Sequence, residues 1–242
     1  MKSLSVITVT YNAAPTLVRT LKSVREQTYP HIEHLIVDGA SKDNTVALIK
    51  QYAQEKMVWV SEPDKGLYDA MNKAAGMAAG DYLCFLNAGD TFFAADSVEK
   101  MMHTVGPGND PDIIYGETAI VDERGVFVSM RRLKAPERLT WKSFQQGMVV
   151  CHQAFIVRKD IFEPYDLSYR FSSDFDWCIR MMKKASSIHN ARLTLINYLN
   201  EGMTTTNRKA SLKERYRIMA DYYGRLSTFV HHLWFVVRAV FK

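Results

Sequence analysis

The chain has 242 residues, 47% of them hydrophobic and 24% charged, which excludes a disordered protein. Its formal net charge of +5 favours ligands or surfaces that carry phosphate. We expect no nucleic-acid partner, because the basic residues are not interleaved with aromatic ones as a base-stacking platform requires.

Strand and helix patterns alternate over the first half of the chain. In order, they are strand 4–10, a helix from Pro15, strand 33–37, helix 45–56, strand 58–61, helix 67–79 and strand 82–86. This alternation predicts an α/β fold with a mostly parallel, Rossmann-like sheet. Each strand is followed by a polar cluster with Asn or Asp, a pattern typical of a ligand cleft along one sheet edge.

The second half is less regular. Its predicted elements are strands at 112–115 and 118–122, a strand within 147–158, a helix over 174–184, strands within 187–199 and helices from 211 onward. The chain shows no internal repeat and no linker rich in Pro, Gly or Ser. We therefore expect one domain over residues 1–207 and a C-terminal helical extension over 208–242.

The strand at 82–86 ends in the polar sequence Asn87-Ala88-Gly89-Asp90. A carboxylate there lies where ligands of open α/β sheets collect, and the small residues let a phosphate and its cation approach the backbone. Alternatively, Asp90 or Thr91 is the N-cap of a following helix.

Several well-known nucleotide and hydrolase motifs are absent from the sequence. The first strand is not followed by Gly-x-Gly-x-x-Gly, and the chain contains neither a Walker A lysine loop nor a Gly-x-Ser-x-Gly elbow. These absences argue against a dinucleotide dehydrogenase, a P-loop phosphotransferase and an α/β-hydrolase.

Three segments together resemble family 2 glycosyltransferases of the GT-A fold; they read SVITVTYN from residue 5, IVDGASKDNT from residue 36 and FLNAGD from residue 85. The stretch SEPDKGLYDAMNK from residue 61, the pair at 152–153 and the segment 172–176 resemble the branch of colanic acid and related exopolysaccharide glycosyltransferases. The resemblance covers roughly residues 3–205. It implies a UDP- or GDP-sugar donor, Mn²⁺ or Mg²⁺, and a hexosyltransferase-like transfer with inversion at the anomeric carbon.

The resemblance also implies a donor site. Its residues would be Thr10, Tyr11, Asn12, Asp38, Asp64, Lys65, Asp69, Asn87, Ala88 and Gly89. Asp38 matches the family aspartate that contacts the nucleoside, although it could instead shape the turn with Gly39. Lys65 could instead be a solvated surface charge.

The metal motif departs from the family pattern. The family has Asp at the positions of Asn87 and Gly89, so Asp90 is the carboxylate left to bind a cation. Diphosphate oxygens and waters would then complete the shell, which Mg²⁺ accepts. The histidine that some relatives supply near the end of the domain has no match around residues 198–201.

An inverting transfer needs a carboxylate to accept the proton of the acceptor hydroxyl. The family's Glu-Asp pair matches Ser173 and Asp174, so we predict Asp174 as the base. The predicted acceptor-side residues are His152, Gln153, Asp176 and Trp177. Alternatively, the two aspartates stabilise a helix N-terminus, and the histidine and the aromatic residues belong to the core.

The C-terminal segment has an amphipathic pattern. Its apolar side comprises Leu226, Phe229, Val230, Leu233, Trp234, Val237, Val240 and Phe241. With the upstream basic residues Lys209, Lys213, Arg215 and Arg217, it predicts a peripheral contact with an anionic membrane, and a polyprenyl-linked acceptor is implied by the resemblance. Packing onto the domain or a homo-oligomer partner is the alternative.

The cysteines and the hydropathy pattern indicate the compartment. The three cysteines are scattered in apolar segments, which indicates reduced core residues. No apolar run reaches the roughly 18 residues of a spanning helix, and no signal peptide is evident. We therefore expect a cytoplasmic protein, associated with the inner face of the plasma membrane if the C-terminal helix binds lipid.

The sequence leaves two functions open. One is an inverting glycosyltransferase of cell-surface polysaccharide assembly; the other is a non-catalytic nucleotide-sugar or glycan-binding module. The first requires Asp38, Asp90 and Asp174 to converge on one crevice.

Overall fold

The computed structural model describes residues 1–53, 55–199 and 207–240. Its strands are β1 (Leu4–Thr10), β2 (Ile32–Asp38), β3 (Met57–Ser61), β4 (Tyr82–Phe85), β5 (Thr91–Phe92), β6 (Ile113–Val121), β7 (Phe127–Met130), β8 (Phe155–Arg158) and β9 (Ile188–Leu199). Its helices are α1 (Ala14–Arg25), α2 (Thr45–Tyr52), α3 (Leu67–Met77), α4 (Ser97–Val105), α5 (Ser173–Lys184), α6 (Arg208–Tyr223) and α7 (Arg225–Val240). The predicted α/β class is confirmed.

The first four long strands form a parallel sheet in the order β3-β2-β1-β4. Thr10 pairs with Asp38 and Ile7 with Phe85, so the carboxyl ends of three strands meet at one edge. β8 pairs antiparallel with both β4 and β6. β9 pairs parallel with β6, and β5, the last strand in the order, pairs antiparallel with β9. The predicted parallel arrangement of the first half is confirmed.

The second half differs from its predicted pattern at Gly116. Two strands were expected around this glycine, but it lies inside the single strand β6. A Cβ at Gly116 would lie 2.6 Å from the carbonyl oxygen of Leu193, so glycine permits the close approach of β9. The expectation of two separate strands is wrong for this reason.

Both faces of the sheet are covered by buried side chains. Phe85 packs with residues of α3 and α5 on one face, and Cys84 packs with residues of α1 and α4 on the other. The cysteines at positions 84, 151 and 178 are all free and buried, as predicted for core residues.

The helix α6 shares the main core of the domain. Ile218 and Met219 are fully buried in the same cluster as Phe175 of α5. The boundary between 207 and 208 stays a prediction, but it does not separate two cores. No helix within residues 1–53, 55–199 and 207–240 is long and apolar enough to cross a membrane.

Candidate active site at the carboxyl edge of the sheet

Asp38 joins the ends of three strands. Its buried carboxylate accepts hydrogen bonds from Thr10 Oγ1 (2.9 Å), Ser61 Oγ (2.7 Å), and the backbone N–H (2.9 Å) and Oγ (2.5 Å) of Ser41. Burial raises the pKa of Asp38, but these hydrogen bonds outweigh it and hold the pKa below its ordinary value. Four protein donors match the lone pairs of a carboxylate, which favours the turn-shaping role. The predicted nucleoside contact stays a prediction.

The turn after β1 is tied to the turn after β2. Asn12, at φ +50°, accepts a hydrogen bond from the backbone N–H of Lys42 (2.9 Å) and donates its own N–H to Ser41 Oγ (2.8 Å). The neighbouring Tyr11 is 63% exposed. This exposed ring can stack on a nucleotide base, as the predicted donor role requires.

The predicted donor residue Asp64 packs directly on Gly39. A Cβ at Gly39 would overlap Asp64 Oδ2, while Oδ1 accepts the backbone N–H of Gly66 at 2.8 Å. Asp69 Oδ2 accepts the backbone N–H of Lys65 at 3.0 Å, and the Lys65 side chain is exposed. The loop after β3 is thus held against the end of β2. Glycine at position 39 is required for this close contact, and the sequence did not single it out as part of the site.

The turn after β4 is compact. Gly89 has φ +103°, and a Cβ there would lie 2.8 Å from a methyl carbon of Leu199. Asn87 and Ala88 are half-buried. Within the described part of the chain, Asn87 Oδ1 is buried without a hydrogen-bond partner, so this oxygen is an available acceptor.

Asp90 is 4% exposed and ties two segments together. Its Oδ2 accepts from Gln153 Nε2 at 2.8 Å, and its Oδ1 accepts the backbone N–H of Leu199 at 2.9 Å. Burial raises the pKa of Asp90 to about 7, against the lowering effects of these hydrogen bonds and of Arg19. The alternative N-cap role is wrong, because β5 follows Asp90 and the next helix begins only at Ser97.

The fit of a divalent cation to this turn is incomplete. Across residues 1–53, 55–199 and 207–240, no three His, Cys, Asp or Glu side chains converge on a common point that could hold a metal. Mg²⁺ needs about six oxygen ligands. Asp90 and the free oxygen of Asn87 therefore do not form a cation site by themselves; diphosphate oxygens and waters would have to complete it. Mn²⁺ or Mg²⁺ stays a prediction, with Asp90 as its carboxylate.

Asp174 lies in the first turn of α5 and is half-buried. Its Oδ1 accepts hydrogen bonds from Tyr68 Oη at 3.0 Å and from the backbone N–H of Phe175 at 2.9 Å. Both hydrogen bonds that the described residues donate to this carboxylate go to Oδ1. Oδ2 is therefore available to a ligand. The carboxylate lies at the helix N-terminus, where the helix dipole interacts favourably with negative charge.

The segment that carries Asp174 is fixed by α6. Glu214 accepts the backbone N–H groups of Arg170 and Phe171 at 2.9 and 2.8 Å. Ser172 Oγ lies 3.2 Å from both oxygens of Ser211. Side chains and backbone of α6 therefore hold the start of α5 in place.

Asp176 and Trp177 are engaged by protein groups. Asp176 is 5% exposed and accepts from Arg180 Nε and Tyr222 Oη, both at 2.8 Å. Trp177 is fully buried, and its Nε1 donates to the carbonyl of Glu163 at 2.8 Å. These contacts favour the structural alternatives, and the acceptor-side roles stay predictions.

A chain of contacts joins the turn of Asp90 to Asp174. Gln153 donates a hydrogen bond to Asp90, and the preceding residue, His152, has its Nε2 2.7 Å from Tyr165 Oη. The Tyr165 ring stacks on Tyr68, 5.5 Å between centroids, and Tyr68 donates to Asp174.

The same region contains two further groups with perturbed pKa values, the buried His152 and the half-buried Tyr198. Burial lowers the pKa of His152 to about 4, although the charge of Asp174 opposes this shift, so the imidazole is neutral near pH 7. Burial, with contributions from Asp90 and Asp174, raises the pKa of Tyr198. Tyr198 is thus within electrostatic reach of both carboxylates. The convergence of Asp38, Asp90 and Asp174 on one crevice stays a prediction.

Arg215 is a site residue whose place the sequence did not predict. Its guanidinium carbon lies 5.3 Å from the ring centroid of Phe175, and its Nε is buried without a partner among the residues described. Burial lowers the pKa of Arg215, and the charge of Asp174 opposes that shift. The sequence grouped Arg215 with lipid-facing basic residues, but it points inward, beside the candidate base. No motif signals this position.

Comparisons with known proteins identify the family of the chain. The family model described as "Glycosyl transferase family 2" matches residues 5–165. A PGL/p-HBAD biosynthesis glycosyltransferase of Mycobacterium bovis is 30% identical over 210 residues, which cover 84% of this chain and 79% of that protein. An Escherichia coli protein named UDP-Glc:alpha-D-GlcNAc-diphosphoundecaprenol beta-1,3-glucosyltransferase WfgD is 22% identical, with 90% and 85% covered.

Among solved structures, S. aureus TarS in complex with UDP-GlcNAc superposes with a TM-score of 0.71 at 18% identity. The match covers 90% of this chain and 64% of that TarS chain. At this low identity the likeness shows the shared GT-A fold alone. Together with the family match over most of the sequence, these findings show that the chain belongs to glycosyl transferase family 2.

Proposed function

We propose that this chain is an inverting glycosyltransferase that moves a sugar from a UDP- or GDP-sugar to a saccharide carried on a polyprenyl diphosphate, in cell-surface polysaccharide assembly of the exopolysaccharide type. The TarS complex with UDP-GlcNAc and the name of the E. coli relative support the donor and acceptor classes. The observation that carries the proposal is Asp174, whose Oδ1 is held by Tyr68 while Oδ2 accepts no bond from the described residues.

In the proposed step, the acceptor hydroxyl attacks the anomeric carbon of the donor sugar. The bond from that carbon to the diphosphate breaks, the nucleoside diphosphate leaves with its electron pair, and Oδ2 of Asp174 takes the hydroxyl proton. Tyr68 keeps the carboxylate oriented. A cation, when bound with the diphosphate beside Asp90, would supply charge neutralisation for the leaving group.

The test is the Asp174→Asn variant, assayed for donor hydrolysis and for transfer. We expect turnover to fall by about 10²–10⁴-fold, because general-base catalysis contributes that much, and donor affinity by calorimetry to stay unchanged. Asp221→Asn is the matched control, since Asp221 is an exposed carboxylate on α6. Donor binding by the wild-type protein without any turnover would favour the non-catalytic module instead.

The same titration tests the metal. Donor affinity is measured with Mn²⁺, with Mg²⁺ and after EDTA treatment, in the wild type and in Asp90→Asn. We expect a divalent cation to tighten donor binding and the substitution to remove most of that gain, because Asp90 is the carboxylate assigned to the cation. Equal affinity in EDTA would remove the metal from the proposal.

A further inference from the structure

Helix α7 has one face that packs against the domain. Thr228 is fully buried, and the half-buried ring of Phe235 packs against the main core cluster. Arg238 Nη2 lies 3.4 Å from the carbonyl oxygen of Gln146, to which it donates. The position of the helix is thus set by contacts with the 3₁₀ segment Trp141–Gln146.

The opposite face of α7 is apolar and exposed. Seven large side chains with exposed fractions between 42% and 79% lie on it: Leu226, Phe229, Val230, Leu233, Trp234, Val236 and Val237. At about 100° per residue they occupy an arc of about 160°. The side predicted from the sequence is therefore the exposed one; the side chain of Val240 and the residue Phe241 lie outside the described part. A patch of this kind marks an interaction surface.

A second exposed apolar patch lies at β7. Its members are the β7 residues and their neighbour, namely Val126, Phe127, Val128 and Met130, exposed by 41–59%. Asp122 and Glu123 lie shortly before this patch in the chain. We therefore reserve the name apolar docking face for the exposed side of α7, with the seven side chains given above.

The charges around the apolar docking face are basic. Helix α7 contains no Asp or Glu, and β7 leads directly into Arg131, Arg132 and Lys134. Burial and the nearby charge of Arg132 lower the pKa of Arg238, which places these two cations close together. These cations favour a partner surface that carries negative charge.

We propose that the apolar docking face binds the surface of an anionic lipid bilayer, with α7 lying in the interface between headgroups and acyl chains. A basic rim around an apolar stripe with an exposed tryptophan is the pattern of an interfacial helix. A second copy of this chain would bring the same cations against one another, so lipid is the occupant that the charges favour.

The apolar docking face is connected to the candidate base. Phe144, in the 3₁₀ segment under α7, stacks on Phe175 with 5.4 Å between the ring centroids. Phe175 follows Asp174 in the chain. Docking would therefore hold the domain that carries the candidate base against the bilayer, and the benefit for a lipid-carried acceptor rests on the proposed function. The binding itself does not depend on that function.

The test is flotation of the purified full chain with vesicles of equimolar phosphatidylglycerol and phosphatidylcholine, without donor or acceptor. We expect the wild type to float and its tryptophan emission to shift to the blue. The triple variant Phe229→Ser/Leu233→Ser/Trp234→Ser should lose at least about tenfold in partitioning, since it removes apolar area from the interface. Its matched control is Val58→Ser/Met77→Ser/Phe93→Ser, which alters equally exposed apolar residues elsewhere.

The charge is tested separately. Arg132→Gln and Lys134→Gln should each weaken partitioning by about fivefold, and pure phosphatidylcholine should bind weakly. Absence of flotation overturns the inference, as does wild-type binding by the triple variant. Light scattering that shows a dimer, lost in the triple variant, would assign the face to a second copy and also overturn it. Donor hydrolysis by a protein that does not float would leave the proposed function intact.

Discussion

The hydroxyl of Tyr68, at the start of α3, donates a hydrogen bond to Oδ1 of Asp174, at the start of α5, across 3.0 Å. The two residues are 106 positions apart in the chain. The tyrosine ring is stacked on Tyr165 and is 6% exposed, so its hydroxyl position is fixed by packing. The first turn of α3 therefore helps to set the orientation of the candidate base.

We expect Tyr68→Phe to lower the turnover number by about tenfold with little change in donor affinity. The carboxylate loses a charged hydrogen bond worth about 1.5–3 kcal/mol and is free to rotate. Tyr165→Phe is the control, because it removes the hydroxyl that meets His152 and leaves the bond to Asp174. Equal turnover in Tyr68→Phe and the wild type would show that this bond does not orient the base.

The substitution Asp176→Asn distinguishes a structural from an acceptor-side role. The carboxylate is buried between Arg180 and Tyr222, so we expect the free energy of unfolding to fall by about 1.5–3 kcal/mol in denaturant titrations. At denaturant concentrations below the unfolding transition, the KM for the acceptor should be unchanged. Tyr222→Phe should show a smaller loss of stability in the same direction. A raised acceptor KM in Asp176→Asn would restore the acceptor-side role.

Local patterns predicted the first half of the fold well. β1, β2 and β4 are apolar runs that end in polar turns, and their parallel order follows from the intervening helices. The positions of Asp38 and Asp90 at strand ends, and of Asp174 at the start of a helix, followed from strand and helix patterns and from family motifs. These features depend on short stretches of sequence.

Other features depend on contacts between distant segments, which one sequence does not reveal. Gly116 was interpreted as a break, yet it is the point where β9 approaches β6. Arg215 has the same local pattern as its exposed neighbours, and only the packing of α6 turns it toward Phe175. The carboxylates of Asp38 and Asp176 were assigned to ligands, although distant protein groups bind them: Thr10 and Ser61 donate to Asp38, and Tyr222 donates to Asp176.

The contact between Gly39 and Asp64 predicts a defect in donor binding. In Gly39→Ala the new methyl group overlaps the Asp64 carboxylate, so the loop after β3 must move. Overpacking of this kind costs about 1–3 kcal/mol, and we expect donor affinity by calorimetry to fall by about tenfold.

Two variants control the Gly39→Ala experiment. Gly76→Ala changes a glycine of α3 that has open space around its Cβ position, and it should bind donor normally. Adding Asp64→Ala to Gly39→Ala removes the overlap, so a steric defect in stability should be relieved. Normal donor affinity in Gly39→Ala alone would mean that this loop does not form part of the donor site.

The buried carboxyl of Asp90 predicts a pH dependence of stability. Its pKa is about 7 in the folded chain, mainly because of burial, and about 3.9 when unfolded. The folded state therefore binds more protons between these values, and the contribution to stability that is present below pH 4 is lost as the pH rises through 7. The shift corresponds to at most about 4 kcal/mol. We expect the unfolding free energy of the wild type, relative to non-titrating Asp90→Asn, to fall by a large part of that amount between pH 4 and 8. Parallel curves for the two proteins across this range would show that Asp90 is ionised at an ordinary pKa, and hence that Gln153 and the backbone of Leu199 compensate its burial in full.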